Sequence, residues 1–267
     1  LRWQWNKSLS NLDEQRPRLL FVSNSSNVTI ADVTLQNSHF WTTHLYRCQR
    51  VKYLNCRITS PASPVKAPST DAIDIDVCSD VLVKGCYMAV NDDSVVLKGG
   101  KGPWADTSPE NGSNERILVE DCVYGFCHGV LTCGSESIHN KNIIVRNCHV
   151  EETIYMLWFK LRNDTAQHYE YVRMENVVCD KARSFVNLNL FGEQQYNGLS
   201  SKVNNVTVKS ITCTCDVFYD VTIAEGRTLA SDFTLEDLTV TCRESRFRKD
   251  LIENTKVKNV RINGAPQ

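Results

Sequence analysis

No stretch of this 267-residue chain stays apolar long enough to span a membrane, and the run at 19–22 is only a short one. Neither sign of charge dominates. Lys and Arg number 30 against 31 Asp and Glu, so no global field would draw the chain to nucleic acid or to an anionic lipid surface. An anionic substrate must then be met by a local basic site. No charged-then-apolar leader follows Leu1, and the chain is expected to have been processed, trimmed or cut from a longer precursor. No CxxC pair occurs among the 12 cysteines, which argues against a zinc site, and no metal or cofactor is expected. Helical periodicity is missing, and Asn-Gly hairpin signals between adjacent strands are nearly absent. The first suits a solenoid of strands, and the second weighs against an antiparallel sandwich.

What is present is a repeat. The pattern Asn/Asp, Val/Ile, x, apolar, x, Asn/Asp, Cys/Val recurs at 27–33, 50–56, 80–86, 115–122 and 142–148. It continues at 171–177, 205–211, 233–238 and 257–262, with spacings from the low twenties to the mid-thirties. Each unit reads as a short period-two strand rich in β-branched residues and bounded by polar turn residues. Strands of this kind without intervening helices suit an all-β parallel solenoid, one coil per repeat. Asn and Asp at the turns fit, because both tolerate left-handed backbone geometry. Cys56, Cys86, Cys122 and Cys148 share their slot with Val33, Val177, Ile211 and Leu238. A slot that accepts Cys, Val, Ile or Leu is a buried apolar column, so these thiols are read as structural.

The chain is long enough for one large domain, read as a single parallel β-helix over 1–267. Residues 1–16 offer little material to cap a first coil, so N-terminal coils are expected to be missing. The longest insertion, 99–114, is rich in Gly, Pro, Ser, Asp and Asn and carries Trp104. Long solenoid loops gather on one face and shape a cleft.

Acidic residues are unevenly spread. Asp71, Asp74 and Asp76 lie close together, and Asp92 and Asp93 follow about one coil later. A further coil brings His128 beside Gly129, and one more brings Lys160 with Trp158 and Arg162. Equivalent positions of neighbouring coils lie about 4.8 Å apart. The four segments are therefore expected to form one vertical strip of carboxylate, paired carboxylates, imidazole and ammonium. Glycoside hydrolysis needs a protonated acid at the leaving oxygen and a base at the water or nucleophile. Crowded carboxylates raise the pKa of at least one member, so a proton can be held for donation. His128 can tune that proton, and Lys160 can pair with a substrate carboxylate.

These motifs together resemble glycoside hydrolase family 28, the polygalacturonase and rhamnogalacturonan-hydrolase group. Arg16-Pro17 and Asn37-Ser38 with Trp41 resemble its early coils. Ser69-Thr70-Asp71-Ala72-Ile73-Asp74 resembles its Asn-Thr-Asp-Gly-Ile-Asp segment, and Asn91-Asp92-Asp93 with Lys98 its Gly-Asp-Asp segment and following Lys. Cys127-His128-Gly129 matches Gly-His-Gly with one change, and Gly134-Ser135-Glu136 follows as in the family. The likeness covers 16–164. It implies a right-handed parallel β-helix and single-displacement hydrolysis with inversion of an α-linked galacturonic-acid-containing pectic glycan. By the same match Asp92 is the general acid and Asp71 and Asp93 activate water. His128 and Lys160 assist at the scissile bond, and Lys98, Arg162, Trp158 and Trp104 are further substrate-binding candidates.

One departure bears on substrate. The family's Arg-Ile-Lys falls on Trp158-Phe159-Lys160, so an arginine that helps hold galacturonate is replaced by tryptophan. Arg162 can compensate, since positions 160 and 162 of a strand share a face. Trp158 can stack on a sugar ring or serve as a rim or core aromatic. Ser69 and Cys127 also depart from the pattern, so a branched or mixed pectin cut from its end competes with plain polygalacturonan. Two other readings stay open. One is a calcium-dependent pectate or pectin lyase on the same architecture, with the aspartates as ligands; the other is a non-catalytic carbohydrate-binding solenoid. Six Asn-x-Ser/Thr sequons, at Asn6, Asn24, Asn27, Asn111, Asn163 and Asn205, follow from a polar turn-rich composition. A polysaccharide substrate argues for a secreted or periplasmic enzyme.

Overall fold

A computed structural model describes residues 16–63, 66–191 and 199–267, so Asn6 and the expected cap at 1–15 lie outside the described residues. The chain winds as a parallel β-helix. Each coil gives one strand to each of three parallel sheets. The first coil is β1 (Leu20–Ser23), β2 (Ser26–Ala31) and β3 (Thr34–Gln36). The second is β4 (Thr43–Tyr46), β5 (Gln49–Leu54) and β6 (Arg57–Thr59). The third is β7 (Ile73–Asp76), β8 (Ser79–Lys84) and β9 (Tyr87–Ala89). The fourth takes β10 (Val95–Lys98), β11 (Ser113–Glu120) and the start of β12 (Val123–Gly134). Thereafter the strands run on through the corners: β13 (His139–Arg162), β14 (His168–Phe191), β15 (Ser201–Val221), β16 (Thr228–Glu244) and β17 (Lys256–Ile262). Among the described residues, only β18 (Ala265–Pro266) pairs antiparallel, against β17. Coils rise with the right-handed sense that twisted parallel strands impose on their crossovers.

The repeat maps onto this geometry position by position. Its first Asn/Asp slot is a left-handed corner at Asn27, Arg50, Asp80, Arg116, Asn142, Tyr171 and Asn205. Its second is another at Asp32, Asn55, Gly85, Asp121, Asn147 and Asn176. Side chains at these corners bond from coil to coil: Asn55 donates to Asp32 at 3.2 Å, Asn147 to Asp121 at 3.2 Å and Asn176 to Asn147 at 2.8 Å. Three of the sequon asparagines, Asn24, Asn27 and Asn205, have left-handed backbone geometry.

Between the two corners, side chains alternate inward and outward. Val51, Val81, Ile117 and Ile143 stack in register inside the second sheet, all nearly inaccessible. Each such burial contributes about 1.5–3 kcal/mol. All 12 cysteines are free thiols and all but Cys242 are buried, as the slot analysis expects. The structure adds a reason for sulfur. Cys56, Cys122 and Cys148 donate to the carbonyls of Leu54, Glu120 and Arg146, at 3.4, 3.2 and 3.1 Å. The thiol thereby adds a second donor to a corner carbonyl that already accepts an N–H from the neighbouring coil, as Leu54 C=O accepts the Asp32 N–H at 2.9 Å. In the first coil, inward-facing Val28, Ile30 and Leu35 are only half-buried.

Candidate active site

Asp71, Asp92 and Asp93 occupy the turns that lead into the first sheet, and backbone hydrogen bonds fix their heights. Thr42 N–H donates to Asp71 C=O at 2.7 Å, Ala72 N–H to Asp93 C=O at 2.9 Å and His128 N–H to Asp92 C=O at 2.8 Å. The three carboxylates each offer an oxygen within a common span of 4.8 Å. His128 Nδ1 stands 3.3 Å from Asp92 Oδ1, and the Asp93 N–H donates to that same oxygen at 3.0 Å. A Cβ at Gly129 would collide with Thr132 Oγ1 and lie 2.7 Å from Asp93 Oδ1, so only glycine lets the chain pass so close to the acids.

A second row lies further along the same sheet. Lys98 is in register with Asp76, and Gly134 with Lys160. Lys98 Nζ lies 4.0 Å from Asp71, 3.8 Å from Asp74 and 3.2 Å from Glu136, and 4.7 Å from the centre of the Trp41 ring. The expected single strip is therefore two rows: the acids and His128 line the turn, while Lys98 and Lys160 project from the strands beside it. The reason is register, because His128 falls at the entry of the strand and Lys160 near its exit.

The charges differ in kind. Burial, with Asp74 and Asp92 nearby, pushes Asp71 well above the usual carboxylate range. Burial and the neighbouring Asp92 push Asp93 up to about 6. Burial works against Asp92 too, but the His128 ring, with Lys160 and Lys98 behind it, holds its carboxyl below the usual range. Lys98 holds Glu136 down to about 2. Burial opposes the charge on Lys98, yet Glu136, Asp74 and Asp71 together raise its proton affinity. The site thus combines three carboxyls pushed toward their protonated form, Asp71, Asp74 and Asp93, with two held ionised, Asp92 and Glu136, and two ammonium groups.

The other candidates spread outward. Trp158 is 9 % exposed, donates from Nε1 to Asn189 Oδ1 at 3.1 Å and packs on Tyr155 with ring centres 4.1 Å apart. Lys160 Nζ lies 4.3 Å from its ring centre, so the tryptophan is a rim aromatic beside the ammonium. Arg162 shares that outward face, but Asp164 holds its guanidinium through two contacts of 2.6 Å. Trp104 is 76 % exposed on the 99–112 loop, and among the described residues no contact links its ring to the acids. That loop closes at its stem, where Gly112 N–H donates to Gly99 C=O at 3.0 Å, and leans on the outer corner through Gly102 N–H to Thr165 Oγ1 at 2.8 Å.

Sequence reasoning did not single out Glu136 or Asp74 as partners of Lys98, although both lie inside the quoted motifs. It also passed over Arg18, whose guanidinium lies 4.9 Å from the centre of the Trp41 ring. Only the coil-to-coil register reveals these partnerships.

The model of glycosyl hydrolases family 28 matches residues 2–265. The chain belongs to that family. It is 24% identical over 185 residues to a probable polygalacturonase of Arabidopsis thaliana, covering 68% of this chain and 37% of that protein. It is 24% identical over 261 residues to an exopolygalacturonase of Zea mays, covering 89% of this chain and 57% of that one. Among solved structures, the hyperthermoactive exopolygalacturonase of Thermotoga maritima superposes with a TM-score of 0.79 at 23% identity. That match covers 94% of this chain and 56% of the other, and shows the shared fold. The family 28 chain therefore spans between about a third and somewhat over half the length of these relatives.

Proposed function

We propose that this chain is the catalytic solenoid, a single domain over 1–267, of an inverting hydrolase of α-linked galacturonic-acid-containing pectic glycans. The observation that carries the reading is the Asp71, Asp92, Asp93 cluster with His128 against Asp92 and two lysines beside it. The names of the relatives, polygalacturonase and exopolygalacturonase, support the substrate class. An exported enzyme, secreted or periplasmic, fits a polysaccharide substrate, and no helix among the described residues is long and apolar enough to cross a membrane.

In this reading Asp92 protonates the glycosidic oxygen, while Asp71 and Asp93 position and activate the water, Asp93 taking its proton as it attacks the anomeric carbon. Without substrate, burial favours the protonated forms of Asp71 and Asp93, and Asp92 is ionised beside His128 and Lys160. A uronate carboxylate engaging Lys160 removes part of the field that keeps Asp92 ionised. Asp92 then takes the proton from Asp93, leaving Asp93 charged to receive one from water. Substrate binding thereby sets both protonation states. Lys98 remains protonated throughout, and its ammonium disfavours a divalent cation among the aspartates, which favours hydrolysis over calcium-dependent elimination.

Incubation with a panel of pectic oligosaccharides tests this, comparing wild type with Asp92→Asn. Saturated uronide products, insensitive to chelator and lost in the variant, are expected. Unsaturated products abolished by chelator would mean a lyase. Glycan binding unchanged by the substitution, with no turnover in either protein, would mean a binding solenoid.

A further inference from the structure

The outer face of the second sheet carries a separate cluster of donors. Ser113, His139 and His168 are in register on three successive coils, and Glu170 lies two residues beyond His168 on the same outward face. His139 Nε2 is 3.2 Å from Glu170 Oε1, and His168 Nε2 is 3.9 Å from Glu170 Oε2. The two imidazoles stack with centres 5.3 Å apart and planes inclined by 20°. One donor atom from each of the three residues falls within 4.8 Å of the others.

We propose that His139, His168 and Glu170 form a zinc-class metal site that ties the fifth coil to the sixth. Two imidazoles and one carboxylate are a zinc donor set that leaves a fourth position for water, and bonds near 2.0–2.1 Å place tetrahedral donors roughly 3.3 Å apart. The His139–Glu170 separation already meets that spacing. His139 also has the outer partner that orients a ligating imidazole, because Ser113 Oγ lies 2.8 Å from its Nδ1. That contact leaves Nε2 to face the ion. His168 must give up the 2.7 Å contact of its Nε2 with Asn204 Oδ1 and move toward Glu170. The ion must also displace Lys141, whose Nζ lies 3.4 Å from Glu170 Oε1 and balances its charge in the metal-free chain. Imidazole donors select zinc, copper, nickel or cobalt over calcium and magnesium. The site is apart from the aspartates, which belong to the turns entering the first sheet.

Calorimetric titration of the chelator-treated full chain with zinc chloride tests the assignment. A single ion is expected to bind wild type and Asp92→Asn alike and to raise the Tm of both. Glu170→Gln and His139→Ala are expected to lose binding and the Tm shift, with circular dichroism unchanged. Lys141→Met removes the competing ammonium and is expected to bind zinc severalfold more tightly, a gain that a misfolded variant cannot imitate. Cobalt is expected to give the strong visible absorption of a tetrahedral ion, lost in Glu170→Gln. The proposal falls if wild type takes up no zinc. It also falls if Glu170→Gln still binds while Asp92→Asn does not, which would assign the ion to the aspartates.

Discussion

His128 Nδ1 lies 3.3 Å from Asp92 Oδ1, and the backbone of the same histidine donates to the Asp92 carbonyl at 2.8 Å. One residue thus sets both the position and the charge of the proposed acid. Its ring is a principal reason that Asp92 ionises more readily than an ordinary aspartate. His128→Ala is expected to lower kcat on pectic oligosaccharides by about 10²-fold, the low end for a group that assists proton transfer. The basic limb of the kcat/KM profile should move to higher pH, because Asp92 then keeps its proton longer. A fall in rate with an unmoved limb would assign His128 to substrate contact alone.

Asp93 carries a stability signature of its own. Its folded pKa of about 6 lies above the ordinary carboxylate value, so the folded chain binds the proton more tightly than the unfolded one. The stabilisation is complete below the ordinary value near 4 and is lost as pH rises through about 6. Over that window wild type is expected to lose on the order of 2–3 kcal/mol through this group. Asp93→Asn should flatten the loss, read as the difference in denaturation midpoints between pH 4 and pH 7. Equal slopes in both proteins would contradict the assignment.

Trp158 holds the position of a uronate-binding arginine in the family pattern, and Lys160 packs 4.3 Å from its ring centre. Trp158→Arg is expected to lower KM for galacturonan oligomers by roughly tenfold, the worth of a partly solvated charge-assisted pair. If KM rises instead, the tryptophan itself contributes to the sugar subsite.

Tyr171 occupies a left-handed corner with φ 54, where asparagine or aspartate stands in neighbouring coils, and its side chain is half exposed. A Cβ-bearing aromatic is strained there by about 1 kcal/mol. Tyr171→Asn is expected to raise the denaturation midpoint, even though it removes an aromatic ring. No gain would show that contacts of the ring outweigh the backbone strain.

Cys122 distinguishes a thiol that only fills space from one that also donates. Cys122→Val keeps the volume but removes the thiol donor at 3.2 Å, leaving the Glu120 carbonyl to the Gly85 N–H alone, while Cys122→Ser keeps a donor at the cost of a buried hydroxyl. Cys122→Val is expected to destabilise by about 0.5–1 kcal/mol and Cys122→Ser by about 1–2 kcal/mol in chemical denaturation. A neutral Cys122→Val would reduce the column to packing alone.

The coil count, the corners and the acid cluster were legible because each rests on a local pattern repeated at coil spacing. Asn55 and Asn147 could be read as turns, and Asp71, Asp93 and His128 as neighbours one coil apart. What the pattern could not supply was register within a coil. The placement of Lys160 opposite Gly134, five positions beyond the Tyr155 that aligns with Gly129, depends on where each corner falls. The pairing of Lys98 with Glu136 needs the same knowledge, and so does the meeting of His139 with His168. Arg162 had the right face but a local partner, Asp164, which periodicity does not reveal. Trp104 lies on a loop whose path follows from its stem contacts and not from any repeat.

The close passage of Gly129 has a practical consequence. A methyl group at that position would intrude on Asp93 and Thr132 while leaving every ionisable group chemically intact. Gly129→Ala therefore offers a way to obstruct the floor of the cleft without altering its charge. Such a protein would serve as an affinity reagent, retaining the ammonium groups that hold an acidic glycan while denying water its place beneath the bond.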